Sequence, residues 1–111
     1  MHRVVITGMG AVTPLGLTAP ATWKSLCEGR SAIAPITSLP RESLRFGIAA
    51  EVRGFDPLAH FEEKKLILFD RVSQLALVAA REAIAQSGVD FAREGLGETT
   101  AVIIGTGVGG Q

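Results

Sequence analysis

Residues 99–111 read Thr-Thr-Ala-Val-Ile-Ile-Gly-Thr-Gly-Val-Gly-Gly-Gln, a short apolar run that is followed by a glycine-rich turn. The β-branched residues of 99–104 predict a strand that is buried in a parallel sheet. The turn contains four glycines, Gly105, Gly107, Gly109 and Gly110. Glycine permits positive φ and close approach of another group to the backbone. A strand in such a sheet also needs a covering helix, so we expect this chain to be the front part of a longer α/β protein.

A second strand-to-glycine unit opens the chain. Residues 3–10, Arg-Val-Val-Ile-Thr-Gly-Met-Gly, also predict a buried strand. Gly8 and Gly10 suggest the start of a dinucleotide-binding fingerprint, but Thr13 stands where its third small residue belongs. A Rossmann turn is therefore disfavoured here, and residues 14–16, Pro-Leu-Gly, predict a tight turn instead.

The first predicted helix follows this turn. Thr18 is a candidate N-cap, and Gly29 ends the helix. Trp23, Leu26 and Cys27 lie on one apolar face at helical spacing. No histidine is near in sequence to activate Cys27, so we interpret it as a buried core thiol and not as a nucleophile.

The second predicted helix covers residues 70–87, with Gly88 as its C′ residue. Its apolar positions repeat at 3.6 residues, and its alanines permit close packing, which predicts a core helix. The side expected to face solvent carries Arg71, Gln74, Arg81, Glu82 and Gln86.

The remaining segments connect these elements. Residues 29–57 predict a long connection with one strand at 46–52, and 89–98 predict a polar linker. Residues 62–65, Glu-Glu-Lys-Lys, predict a solvated helical face on which Glu62 pairs with Lys65. The following tetrad, residues 66–69, cannot all face one side of a helix, so part of it must meet a second surface.

Composition excludes several classes of function. The 111 residues are 47% apolar, and 11 basic residues balance 11 acidic ones, so no overall field favours nucleic acid or a membrane surface. The sequence lacks an apolar run of membrane-spanning length and a signal peptide, and we expect a cytoplasmic protein. One cysteine and two distant histidines, His2 and His60, predict no metal site, and no cofactor is expected.

Four motifs together resemble one known family. They are Val-Val-Ile-Thr-Gly-Met-Gly-Ala-Val-Thr-Pro-Leu-Gly at 4–16, Ile-Ala-Ala-Glu-Val-Arg-Gly-Phe-Asp-Pro at 48–57, Asp70-Arg71, and Gly-Thr-Gly-Val-Gly-Gly at 105–110. In this order they look like the N-terminal segment of elongating β-ketoacyl-acyl-carrier-protein synthases. The resemblance runs along nearly the whole chain.

The resemblance implies a thiolase-like αβαβα sandwich, of which residues 1–111 would be an incomplete N-terminal part. It also implies a dimer, with itself or with a related subunit, that condenses an acyl thioester with a malonyl carrier protein by decarboxylative Claisen chemistry. In the family a cysteine and two histidines carry out this reaction, and all three come after the glycine turn. No catalytic residue is therefore assigned within 1–111, and the segment alone is expected to be inactive.

The resemblance assigns two sites. Gly107, Val108 and Gly109 match the wall of the acyl pocket, where Val108 would gate chain length. Valine is one methylene smaller than the usual isoleucine, which predicts slightly more room; filling of core volume is the competing interpretation for Val108. Lys64 and Lys65 match part of a basic patch that docks the acyl carrier protein, but Ile67 and Leu68 replace expected basic residues. Either a different surface patch of the protein binds the acyl carrier protein, or the surface at 64–68 contacts a protein partner through its apolar residues.

Two alternatives stay open. Polyketide systems pair a synthase with a catalytically silent subunit that helps to set chain length, and the altered docking patch is compatible with such a subunit. The Gly-x-Gly-x-x-Gly spacing at 105–110 also fits a dinucleotide-binding turn, although the chain shows neither the following helix nor the acidic ribose partner.

Overall fold

The computed structural model describes residues 3–93 and 95–109 and contains three α-helices and one small sheet within them. In chain order the elements are α1 (Ala19–Cys27), β1 (Ile33–Pro35), β2 (Ile48–Ala50), α2 (Glu63–Leu66) and α3 (Arg71–Ser87). Short 3-10 turns lie at Arg41–Ser43, Pro57–Ala59 and Leu96–Thr99. Strands β1 and β2 are antiparallel, with Ala34 opposite Ala49.

Both long helices end where local chemistry predicts. The Thr18 hydroxyl accepts a hydrogen bond from the Ala21 amide at 3.2 Å, and Gly29 follows α1 with φ of 66°. The Asp70 carboxylate accepts from the Ser73 amide at 2.7 Å, and Gly88 closes α3 with φ of 68°. The two side chains satisfy backbone groups that a helix end leaves without partners, and the predicted ends at Thr18, Gly29 and Gly88 are confirmed.

The two predicted buried strands, at 3–10 and 99–104, are wrong for this chain. Neither segment joins a ladder, and Val4 and Ile103 are 93% and 92% exposed. A strand requires a hydrogen-bonding neighbour, and the one sheet among the described residues pairs β1 only with β2. The short strand β2 lies within the predicted 46–52 segment, whereas β1 falls in a stretch that the sequence predicts to be a plain connection.

The N-terminal segment packs on α3 instead of pairing in a sheet. A Cβ atom at Gly8 would overlap the carbonyl oxygen of Ala83, and one at Gly10 would overlap that of Ala79. Only glycine allows this contact between a segment and a helix backbone. The turn at 14–16 is as predicted, since Thr13 and Gly16 exchange two backbone hydrogen bonds of 2.8 and 3.2 Å.

Two residues of the polar side of α3, Glu82 and Gln86, bind this segment, which corrects the prediction that they only face solvent. The Glu82 carboxylate accepts hydrogen bonds from the amides of Ala11, at 2.9 Å, and Ala19, at 3.0 Å. The Gln86 side chain accepts from the Met9 amide. Through these hydrogen bonds Glu82 holds both the N-terminal segment and the start of α1 against α3. No residue of α3 is fully buried, so the expected core helix is wrong for this chain taken alone.

Two expectations about burial are also corrected. Cys27 is exposed and not a core thiol, because α1 turns Ser25 inward, where its hydroxyl donates to the Leu15 carbonyl at 2.9 Å. The buried apolar side chains among the described residues are Phe55 and Phe61, which lie on the segment that precedes α2. In residues 3–93 and 95–109, no helix is long and apolar enough to cross a membrane.

Candidate functional site

The glycine turn at 105–109 lies against the first turn of α3. A Cβ at Gly109 would meet both γ-carbons of Val72 at 3.2 Å and the hydroxyl of Thr106. A Cβ at Gly105 or Gly107 would meet nothing within 4 Å. None of these three glycines has positive φ, so the turn does not need glycine for its backbone torsions. The fourth glycine of the motif, Gly110, lies outside the described residues. The turn is thus packed on one side and open on the other.

Val108 stands on the open side of this turn, with 77% of its surface exposed. Among the described residues it therefore fills no core volume. Val108 is a branched apolar side chain between two glycines, which have no side chains to shield it, so another group can contact it. The roles expected for Gly107, Val108 and Gly109 in an acyl pocket stay predictions.

The expected docking residues lie on α2 and just after it. Lys65 pairs with Glu62 at 3.1 Å, as its spacing predicts. Ile67 and Leu68 are 89% and 78% exposed. Phe69 turns the other way and packs on Phe61, with ring centroids 5.6 Å apart. The tetrad at 66–69 is therefore split between an inward aromatic ring and an outward apolar pair.

Two arginines of α3 hold the segment before α2, a feature that the sequence patterns did not reveal. The Arg81 guanidinium lies 4.9 Å from the centre of the Phe61 ring and donates to the His60 carbonyl at 2.9 Å. The Arg71 guanidinium lies 4.6 Å from the centre of the Phe55 ring. Cation–π contacts of this kind join the segment before α2 to α3. Helical periodicity marks both arginines as solvated and carries no signal for these contacts.

Among the described residues, two carboxylates have a lowered pKa, and both hold local structure. The pKa of Glu51 falls from its ordinary value near 4.5 to about 2, because the carboxylate accepts hydrogen bonds from Ser38 and Thr37. The pKa of Asp70 is lowered because it accepts from Ser73 as the cap of α3. Hydrogen bonds to the charged form favour ionisation. Both groups therefore stay ionised at neutral pH and serve as acceptors for the backbone around them.

An apolar groove of about 630 Å³ separates the N-terminal segment from α1. Its walls are Gly8, Met9, Gly10, Ala11, Ala19, Thr22, Trp23, Leu26 and Ala83. None of these lining residues titrates, so the groove supplies no acid, base or thiolate. In the part of the chain that the structure describes, no group of three or more His, Cys, Asp or Glu side chains is placed to hold a metal ion.

Comparisons with known proteins identify the chain's relatives. The sequence model of the family described as "Beta-ketoacyl synthase, N-terminal domain" matches residues 1–111. The chain is 48% identical over 110 residues to a protein of Streptomyces cyaneus whose name places it among polyketide beta-ketoacyl synthases. It is 41% identical over 110 residues to 3-oxoacyl-[acyl-carrier-protein] synthase 2 of Coxiella burnetii.

A further relative is 3-oxoacyl-[acyl-carrier-protein] synthase 2 of Staphylococcus aureus strain COL, which is 38% identical over 109 residues. The three alignments cover 98%, 99% and 98% of this chain, respectively. Each covers 26% of the relative, so the chain spans about a quarter of the length of the curated relatives it matches.

Proposed function

The chain belongs to the beta-ketoacyl synthase family, as its N-terminal domain, and on that premise we propose that it is part of an elongating condensing enzyme. The observation that carries the proposal is the match along all of residues 1–111, together with relatives named as acyl-carrier-protein and polyketide synthases. We also propose that residues 1–111 contribute to a thiolase-like αβαβα sandwich. The exposed apolar runs at 4–6 and 102–104 support this, because a sheet would cover them.

The proposed reaction joins an acyl chain to a malonyl unit held on a carrier protein. A cysteine thiolate first takes the acyl group from its thioester, and the carrier thiol leaves. Loss of carbon dioxide from the malonyl unit then supplies the carbanion that attacks the acyl-enzyme carbonyl and releases the cysteine. Covalent catalysis of this kind divides one difficult transfer into easier steps. We assign none of these catalytic roles to a residue of 1–111.

In this proposal the glycine turn forms one wall of the acyl pocket. The open space at Gly105 and Gly107 leaves room for an acyl chain, and the exposed side chain of Val108 projects beside them. We predict that Val108→Ile in the complete protein shortens the preferred acyl chain, because one added methylene reduces the room. Activity with acyl carriers of graded length measures this, with Val89→Ile as a control outside the turn and outside the apolar runs. An unchanged chain-length profile would exclude Val108 as the gate.

The activity itself is tested with the complete protein, an acyl carrier thioester and a malonyl carrier thioester. We expect release of carbon dioxide together with a 3-oxoacyl product. A carrier protein is the proposed partner because the names of two relatives specify acyl-carrier-protein substrates. We further propose a dimer, formed with a second copy or with a related subunit.

A second candidate function is a catalytically silent subunit that sets chain length. The exposed Ile67 and Leu68, which replace expected basic residues, favour it. Such a subunit would show no condensation alone but would change the product length of an active partner. The dinucleotide-binding alternative, which concerns the turn at 105–110, gains no support, since the matching family is a synthase family.

A further inference from the structure

The side chain of Val72, in the first turn of α3, supports the glycine turn. A Cβ added at Gly109 would stand 3.2 Å from both γ-carbons of Val72. Carbon atoms pack best at about 3.5–4.0 Å, so no space is left between the Gly109 backbone and this side chain. Gly109 is also the one residue of 105–109 that is not exposed. The glycine turn therefore rests on α3 where Gly109 meets Val72.

The first turn of α3 is held in place independently of the glycine turn. The Asp70 carboxylate caps the helix by accepting a hydrogen bond from the Ser73 amide at 2.7 Å. The Arg71 guanidinium lies 4.6 Å from the centre of the Phe55 ring, and Phe55 is buried. These contacts oppose movement of the helix end. A change in the volume of the side chain at position 72 is therefore taken up by the glycine turn and not by α3.

The glycine turn has less support of its own. A Cβ at Gly105 or Gly107 would meet no atom of the described chain within 4 Å, and Val108 is 77% exposed. Val108 is joined directly to Gly109, and Cα atoms joined by a trans peptide bond stay about 3.8 Å apart. A displacement of Gly109 away from α3 therefore carries Val108 with it.

We propose that Val72 is a positioning residue that sets acyl-chain length through the glycine turn. The volume of its side chain determines how far the turn stands from α3, and thereby how far Val108 projects into the acyl pocket. This inference rests on the proposed function, which places Val108 beside the acyl chain. It adds a determinant of chain length that acts without contact with the substrate.

The test compares two substitutions of opposite size in the complete protein. Val72→Ile extends one of the γ-carbons that meet Gly109, so it should push the turn away from α3 and favour shorter acyl chains. Val72→Ala removes both γ-carbons, so it should let the turn settle toward α3 and favour longer chains. Val72 is 38% exposed, and neither variant should prevent folding.

The measured quantity is the ratio of kcat/KM for a dodecanoyl carrier thioester to that for a hexanoyl carrier thioester. One methylene in an apolar pocket changes selectivity by about 10–200-fold. Because Val72 acts only through the turn, we expect the ratio to change by about threefold or more, in opposite directions for the two variants. Val72→Ala combined with Val108→Ile should return the ratio toward that of the parent, because the lowered turn offsets the larger side chain.

Val89→Ile is the matched control, since it makes the same exchange beyond the C-terminal end of α3 and should leave the ratio unchanged. Urea denaturation of each variant is measured alongside. Equal loss of activity with both thioesters in the two Val72 variants would overturn the inference, because a purely structural role predicts that result. If Val108→Ile changes the ratio and neither Val72 variant does, this inference alone fails. If the parent protein forms no 3-oxoacyl product, the proposed function fails as well.

Discussion

Replacement of Gly10 by alanine should lift the N-terminal segment from α3. The added methyl would overlap the Ala79 carbonyl oxygen and would stand 2.9 Å from both the Ala79 carbonyl carbon and the Ala83 nitrogen. These are helix backbone atoms and cannot rotate away. Overpacking costs about 1–3 kcal/mol. The displaced segment would also strain the hydrogen bond from the Ala11 amide to Glu82, and bonds to charged groups contribute about 1.5–3 kcal/mol.

We therefore expect Gly10→Ala to lower the free energy of unfolding of the complete protein by about 3 kcal/mol. Denaturation in urea, followed by circular dichroism, measures it as a lower midpoint. Gly47→Ala is the matched control, because no atom lies within 4 Å of its added methyl and its φ is not positive. This control should change stability by less than about 1 kcal/mol. If the two variants agree within about 0.5 kcal/mol, the close contact with α3 is refuted.

Three further predictions concern charge and exposure. Glu82→Gln should lower the free energy of unfolding of the complete protein, measured in urea, by about 1–2 kcal/mol, because an amide offers one acceptor oxygen where the carboxylate uses two. The control Glu28→Gln removes an exposed ion pair and should cost less than about 0.5 kcal/mol. Equal effects of the two variants would argue against Glu82 as the residue that holds the N-terminal segment on α3. Glu51 has a lowered pKa, so the stability that its carboxylate contributes is present above pH 4.5 and is lost as the pH falls toward about 2. Glu51→Gln should therefore make the free energy of unfolding less dependent on pH in that window. A pH profile parallel to that of the parent protein would contradict this. Residues 1–111 alone should show no condensation and should self-associate through their exposed apolar runs; a monodisperse monomer by light scattering would oppose the second expectation.

The sequence predicts well the features that depend on neighbouring residues. Helix ends at Thr18, Asp70 and Gly88 follow from side chains and backbone torsions within one turn, and the Glu62–Lys65 pair follows from helical spacing. Strand formation depends on a distant partner, so an apolar run such as 99–104 cannot by itself establish a ladder. The pocket role proposed for Val108 comes from the family motif alone and stays a prediction.

The polar side of α3 shows the limit of hydrophobic periodicity. Glu82 and Gln86 have the spacing and polarity of solvated residues, yet they accept hydrogen bonds from backbone amides of the N-terminal segment. Hydrophobic pattern records which side chains avoid water and carries no information on backbone donors that need acceptors. The glycines at 8 and 10 were the available signal, since close approach to a helix leaves amides that must find partners.

The two glycine turns of this chain therefore serve different purposes. At Gly8 and Gly10 the space that an added Cβ would occupy is filled by the backbone of α3. At Gly105 and Gly107 the corresponding space is empty. Val108, which lies between Gly107 and Gly109, is exposed. A glycine pair in a folded chain is explained by whatever approaches it closely. Since no group of the described chain approaches Gly105 or Gly107, the second turn is the better candidate for a wall against which a substrate lies.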